Sequence, residues 1–172
     1  LVAQRLTGQL EAGFTNAAMQ WGTDTEPFAR AAYEIKYGTI VEEVGFVPHP
    51  TIMMSGASPD GLVGTDGMIE IKRPNTATHI ASIMNGKVDR AYMLQMQWEM
   101  ACDGRTWCDF ASFDPRLPEP MQLYVKRIER DDKLIAEIAN EVTAFLAEVA
   151  DTVEALRKRF SMPEPINYMM AG

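Results

Sequence analysis

Apolar positions along the chain switch between helical and strand spacing, and each switch marks an element. From Asn16 to Lys36, Trp21, Phe28, Ala32 and Ile35 recur at helical spacing. Pro27 is tolerated only near a helix start, so Thr23 to Thr25 is the predicted N-cap region and Glu26 falls in the first turn. Thr39 to Val47, rich in Val and Ile, predicts a strand, His49 between Pro48 and Pro50 a loop, and Thr51 to Ala57 another strand. Asp66-Gly67 is a turn signal, and the MIEIK run after it alternates at period two, as a half-buried strand does. Pro74 stops that strand, and a short helix over Thr78 to Asn85 ends at Gly86. Arg90 to Ala101 favours helix, while Arg105 to Phe113 and Met121 to Arg130 read as two strands around a Pro-rich loop, Asp114 to Pro120. Asp132 to Phe160 carries Leu134, Ile138, Val142, Phe145, Val149, Val153 and Leu156 on one face, which predicts a long amphipathic helix covering the sheet. Ser161 to Gly172, with Pro163 and Pro165, reads as a tail.

Composition narrows the class. At 172 residues and 47% hydrophobic, the chain has the makeup of a single globular domain over 1–172. No apolar run approaches a membrane span and none has signal-peptide layout, so a soluble, cytoplasmic protein is expected. Cys102 and Cys108 lack CxxC spacing and are expected as free buried thiols. The net charge of −8 argues against a protein that coats nucleic acid, though an enzyme can still concentrate positive charge in a groove.

The chemistry is concentrated between Ser58 and Lys72, SPDGLVGTDGMIEIK. Alternation puts Glu70 and Lys72 on one face of a strand and Ile69 and Ile71 on the other, while Asp60 precedes Gly61 at the start of the unit. Carboxylate oxygens suit a hard divalent cation, and a neighbouring ammonium can orient a water and offset charge on a phosphate. A solvated pair on an edge strand gives the same pattern. Glu26 is equally explained as a carboxylate at a helix start. Gln95 reads either as a solvated helix position or as a carboxamide reaching across the sheet, with Tyr92 on the same face. Met93, Met96, Trp98 and Met100 are expected in the core. His79 has no second histidine or cysteine at ligand spacing and is expected on a loop or helix surface. Arg157-Lys158-Arg159 complements a helix C-terminus.

The order Asp60, Glu70, Lys72, with Pro59 ahead, matches the PD-(D/E)xK nuclease motif. Around it lie Gln20-Trp21-Gly22 with Glu26, Ala91-Tyr92-Met93-Leu94-Gln95-Met96-Gln97, Phe113-Asp114-Pro115-Arg116 and Ile128-Glu129-Arg130-Asp131. In these blocks the chain resembles the phage lambda-type alkaline exonuclease, or viral recombinase, family. The resemblance implies an α/β fold, a mixed central β-sheet flanked by helices with a restriction-endonuclease-like nuclease core. It also implies Mg²⁺-dependent 5′-to-3′ digestion of double-stranded DNA from its ends in a phage- or prophage-bearing bacterial host, with Mn²⁺ able to substitute. The products are 5′ mononucleotides and a 3′ single strand for recombination with a single-strand annealing protein.

By the same resemblance, Asp60, Glu70 and the main-chain carbonyl of Ile71 bind one Mg²⁺, Glu26 helps with a second, Lys72 orients the attacking water and Gln95 positions water or phosphate. A homotrimeric ring around DNA is implied, with Arg73, Lys87 and Arg90 as candidates for its inner surface beside Tyr92, though ordinary solvated charge explains those three equally well. The family's 5′-phosphate ligands are expected upstream of Leu1. Other PD-(D/E)xK endonucleases and a non-catalytic DNA-binding module with the same fold are the alternatives. An iron-sulfur exonuclease needs four cysteines, and this chain has two.

Overall fold

The computed structural model describes residues 1–10 and 17–160. The chain divides into two compact units, Thr15–Ala139 and a second formed by Leu1–Phe14 with Asn140–Gly172. In the first unit, helix α2 (Ala17–Tyr37) leads into a five-stranded sheet in the order β1 (Val41–Glu42), β4 (Gly61–Val63), β5 (Gly67–Lys72), β6 (Trp107–Phe113), β7 (Leu123–Glu129). A separate two-stranded ribbon pairs β2 (Val47–Pro48) with β3 (Gly56–Ala57). Among the described residues only β5 and β6 run parallel, and the connection between them carries α3 (Thr76–Asn85) and α4 (Arg90–Asp103). A short helix α5 (Glu119–Gln122) precedes β7. The expected mixed sheet flanked by helices is therefore present.

The second unit contains α1 (Val2–Thr7) and the C-terminal part of α6 (Asp132–Arg159), where Val149 and Val153 are buried. Helix α6 has the extent its apolar spacing predicts, and Asp131 caps its start by accepting from the Lys133 and Leu134 amides at 3.0 and 3.1 Å. The 161–172 segment lies outside the described residues. No helix among the described residues is long and apolar enough to cross a membrane.

Four local expectations are corrected. Helix α2 begins at least ten residues ahead of Pro27. Thr25 is not a cap; its hydroxyl donates back to the Trp21 carbonyl at 2.6 Å, and Glu26 stands in the helix interior, away from the terminal dipole. The run Thr39 to Val47 splits between two sheets, because only Val41–Glu42 pairs with β4 and Val47–Pro48 pairs with β3. Thr51 to Met54 turns instead of extending: His49 Nδ1 accepts from the Thr51 and Ile52 amides, and Met54 takes a φ of 63°.

The turn before β5 also differs from the Asp66-Gly67 reading. Val63 pairs with Gly67, so the connection is Gly64-Thr65-Asp66, with Gly64 at φ 58°. Gly67 is glycine for a different reason: a Cβ there would fall 2.0 Å from the Trp107 ring on the neighbouring strand. The glycine admits Trp107, and the register of β5 against β6 follows.

Alternation on the central strands builds two cores. Ile69, Ile71, Ala111 and Phe113 pack with Ala29 and Tyr33 of α2. Met68, Cys108 and Phe110 pack on the other face with Met96 and Met100 of α4. Both cysteines are free and buried, and burial raises both thiols' pKa values. His79 is fully buried, contrary to the surface position expected: its ring nitrogens contact Ser112 Oγ at 2.7 Å and the Met121 carbonyl at 2.8 Å. It pins α3 onto the sheet.

Candidate active site

Strand β5 has a partner on each side, so Glu70 and Lys72 stand on a rigid interior strand rather than on an edge. Ile69 and Ile71 anchor one face in the core, which forces Glu70 and Lys72 to the face covered by α4. Glu70 is 2% exposed. The Lys72 ammonium contacts Glu70 Oε1, donates to Gln95 Oε1 at 3.3 Å and lies 4.8 Å from the centre of the Tyr92 ring. Tyr92 in turn stacks on Phe110.

Asp60 joins this group from the segment before β4. Its Oδ2 accepts the Ile71 amide at 2.7 Å. A strand residue points its N–H and C=O to the same side, so the Ile71 carbonyl faces Asp60 as well. Burial raises the Asp60 pKa, with the Glu70 charge adding to it, against the opposing effects of the Ile71 amide, Lys72 and Arg73.

Helix α4 brings two side chains from successive turns. Gln95, exposed at the mouth, donates through Nε2 to Glu70 Oε1 and to Glu99 Oε1, both at 2.8 Å. Glu99 is 1% exposed, and the expectation from sequence had passed it over. Its position four residues after Gln95 was the available signal, since side chains at that spacing share a helix face. Burial first, and the Glu70 charge second, push its carboxyl up to about 9. Oε2 of Glu70 and Oε2 of Glu99 are both buried without a hydrogen-bond partner.

Glu26 approaches from α2 through an intermediary. Its carboxylate lies 3.1 Å from both Arg30 and Arg73, and Arg30 also contacts Glu43. Arg73, 16% exposed, is thus engaged beside the site. Lys87 and Arg90 are exposed, Lys87 between α3 and α4 and Arg90 at the first position of α4. Gln97 faces away from the site, bonding the Glu129 carbonyl and the Asp131 amide at 2.8 Å each and so tying α4 to the end of β7.

The donors suit a hard cation. The acceptors that Asp60, Glu70 and Ile71 offer are all oxygens, and a buried carboxylate oxygen with no donor is costly unless something positive meets it. Among the described residues no three His, Cys, Asp or Glu side chains converge on one point. An ion would therefore draw on two carboxylates, completed by the Ile71 carbonyl and water. A magnesium ion commonly keeps several waters in this way.

The model of the YqaJ-like viral recombinase domain family matches residues 1–106. No curated protein sequence matches the chain significantly. Among solved structures, an alkaline exonuclease (LHK-Exo) from Laribacter hongkongensis is 58% identical, with a TM-score of 0.89 over 93% of this chain and 81% of that one. A crystal structure of LHK-Exo in complex with dAMP matches to the same extent. A phage-related exonuclease from Haemophilus somnus 129PT, 18% identical, shares the fold at a TM-score of 0.71 over 90% of this chain and 80% of that one.

Proposed function

Since the chain belongs to the YqaJ-like viral recombinase family, we propose that it is a Mg²⁺-dependent 5′-to-3′ exonuclease of double-stranded DNA. That it is a DNA exonuclease follows from this membership together with 58% identity to an alkaline exonuclease. The observation that carries the metal-dependent reading is the buried Glu70 carboxylate, tied to Lys72 and Gln95 through one oxygen while the other has no partner. A buried carboxylate oxygen left without a donor favours a positive partner, and on a strand beside Asp60 and the Ile71 carbonyl that partner is a cation.

Asp60, Glu70 and the Ile71 carbonyl would hold one Mg²⁺, with Glu26 serving a second. Bound Mg²⁺ supplies Lewis-acid charge that offsets the negative charge growing at phosphorus in an in-line displacement. Lys72, held by Glu70 and Gln95, orients the attacking water and offsets charge on the phosphoryl group. Gln95, at the open side, positions that water or the scissile phosphate. Mn²⁺, another oxygen-preferring cation, can replace Mg²⁺. The products in this reading are 5′ mononucleotides and a 3′ strand handed to a single-strand annealing protein. The dAMP in the LHK-Exo complex belongs to that chemical class of product. The setting is the cytoplasm of a bacterial host carrying the phage or prophage.

Net charge −8 on an enzyme that must hold a polyanion calls for local positive potential, and a closed trimer would concentrate it in a central channel. Lys87 and Arg90, both exposed, are its candidate lining; Arg73 is instead placed to hold Glu26. Sedimentation equilibrium should return three times the chain mass.

The deciding experiment incubates end-labelled linear duplex with and without Mg²⁺. Release of 5′-labelled mononucleotide only with the metal is expected. Release of the 3′ label first reverses the polarity, and cutting of covalently closed circles replaces the exonuclease by an endonuclease of the same core.

A further inference from the structure

Resting on the nuclease reading of the site, we propose that Glu99 is a positioning residue: it fixes the Gln95 carboxamide with its NH₂ toward Glu70 and its oxygen toward Lys72. A carboxamide has almost the same shape when its oxygen and nitrogen are exchanged, so only its partners select one orientation. Here both N–H bonds are committed, one to Glu70 Oε1 and one to Glu99 Oε1, each at 2.8 Å, while the oxygen accepts from Lys72 at 3.3 Å. Turned over, the amide would set its oxygen against the Glu70 carboxylate and its NH₂ against the Lys72 ammonium. With Glu70 alone, one N–H would be left to water and the exposed Gln95 would swing about its remaining anchors.

Glu99 is built as an immobile post. It is 1% exposed on the buried side of α4, next to Met100 and one turn from Met96, where an apolar side chain would be the stable choice. Besides Gln95 it meets the Glu70 carboxylate, whose charge adds to burial in raising its pKa. Its one directed contact on the helix is with Gln95, four residues earlier.

The test uses Glu99→Met, Glu99→Gln and Gln95→Ala in the full-length chain. Glu99→Met should lower kcat about tenfold with KM changed less than about twofold, and Glu99→Gln, whose amide oxygen can still accept from Gln95, should recover to within about threefold of wild type. In the Gln95→Ala background, Glu99→Met should remove almost nothing further, because two residues acting through one contact are not additive. Calorimetric Mg²⁺ affinity should stay within about twofold, as expected of a residue that orients and does not ligate. Additive losses, or wild-type kcat in Glu99→Met, overturn the proposal.

A readout independent of turnover separates this inference from the function it rests on. The Gln95 side-chain amide protons should exchange slowly with water in wild type, and those of Glu99→Met at least about tenfold faster. Fast exchange already in wild type refutes the positioning role. Slow, Glu99-dependent exchange in a protein without nuclease activity would keep the geometry and reject the nuclease.

Discussion

Glu70 and Asp109 stand on neighbouring strands, each 2% exposed, yet the fold treats their charges in opposite ways. Asp109 faces α2 and is closed: Arg127 Nε at 2.9 Å meets Oδ1, while the Tyr33 hydroxyl at 2.7 Å and a second Arg127 nitrogen at 2.9 Å meet Oδ2. The Trp107 ring covers one side of that guanidinium, 3.5 Å from ring centre to Arg127 Cζ. Burial, then the Asp109 contact, raises the Tyr33 pKa well above its ordinary value, so this hydroxyl stays a donor. Glu70 faces α4 and is open, with one oxygen unmatched and its charge helping to raise the pKa values of two further carboxyls, Asp60 and Glu99. One strand apart, the same chemical group is a staple on one face and is left open on the other. The difference lies in whether the surroundings finish its hydrogen bonds.

Removing a member of each group should separate the two roles. Lys72→Ala takes away the ammonium contacting Glu70 and is expected to cost about 3 kcal/mol or more of transition-state stabilisation, a hundredfold or greater loss of rate. Its melting temperature should change little, and activity within threefold of wild type would sink the assignment. Asp109→Ala should do the reverse. It strands the Tyr33 hydroxyl and half-exposed Arg127, at a stability cost of about 2–3 kcal/mol, or roughly 4–12 °C in melting temperature for a chain of this size. Activity per folded molecule should persist; thermal melts beside single-turnover assays read both.

Glu26 tests whether a third carboxylate belongs to the open group. As an ion-pair partner of Arg30 and Arg73 alone, at 26% exposure, it should lose no more than about 1 kcal/mol of stability on Glu26→Gln and keep its turnover. As part of the site, the substitution should lower turnover about tenfold or more with the melt unchanged. The second outcome is expected, because Arg73 follows Lys72 directly and its charge reaches Asp60. A destabilised but fully active variant would assign Glu26 to the ion pair.

Much of this arrangement was legible in the sequence because strand alternation is local. The MIEIK run placed Glu70 and Lys72 together and Ile69 and Ile71 in the core without any tertiary information. Helical spacing put Tyr92 and Gln95 on one face, and both reach Lys72. Long-range satisfaction was not legible. His79 looked like surface because nothing nearby in sequence announces Ser112 and the Met121 carbonyl. Pro27 suggested a helix start, but α2 runs through it, and Thr25 instead bonds back into the helix. Gly67 spoke for a turn when it was making room for Trp107.

The smallest expected effect is on stability against pH, and it distinguishes the open group from a third, closed one at the end of β6. Asp114 accepts from Thr76 Oγ1 at 2.6 Å and from the Arg116 side chain at 2.7 and 3.0 Å, and Arg116 holds its pKa down at about 2 against an ordinary 3.8. As pH falls through that interval the unfolded chain takes up a proton that the fold refuses, so this contribution is present above about 3.8 and lost toward 2. Glu99 has the opposite sign. With a folded value of about 9 against an ordinary 4.5, the fold keeps a proton that the unfolded chain has released, so stability declines as pH rises from about 4.5 to about 9. The burial-raised thiols add a further decline only above their ordinary value of 9. Asp60, also raised by burial, contributes with the same sign, so the difference between wild type and Glu99→Met is what reads Glu99. In chelator-treated protein the melting temperature should therefore slope downward between neutral pH and 9, and Glu99→Met should flatten that slope while leaving the acid limb intact. Asp114→Ala should flatten the acid limb and leave the alkaline slope. An alkaline slope unchanged in Glu99→Met would show that the open group carries no such proton, and its resemblance to the closed groups would then be closer than the geometry suggests.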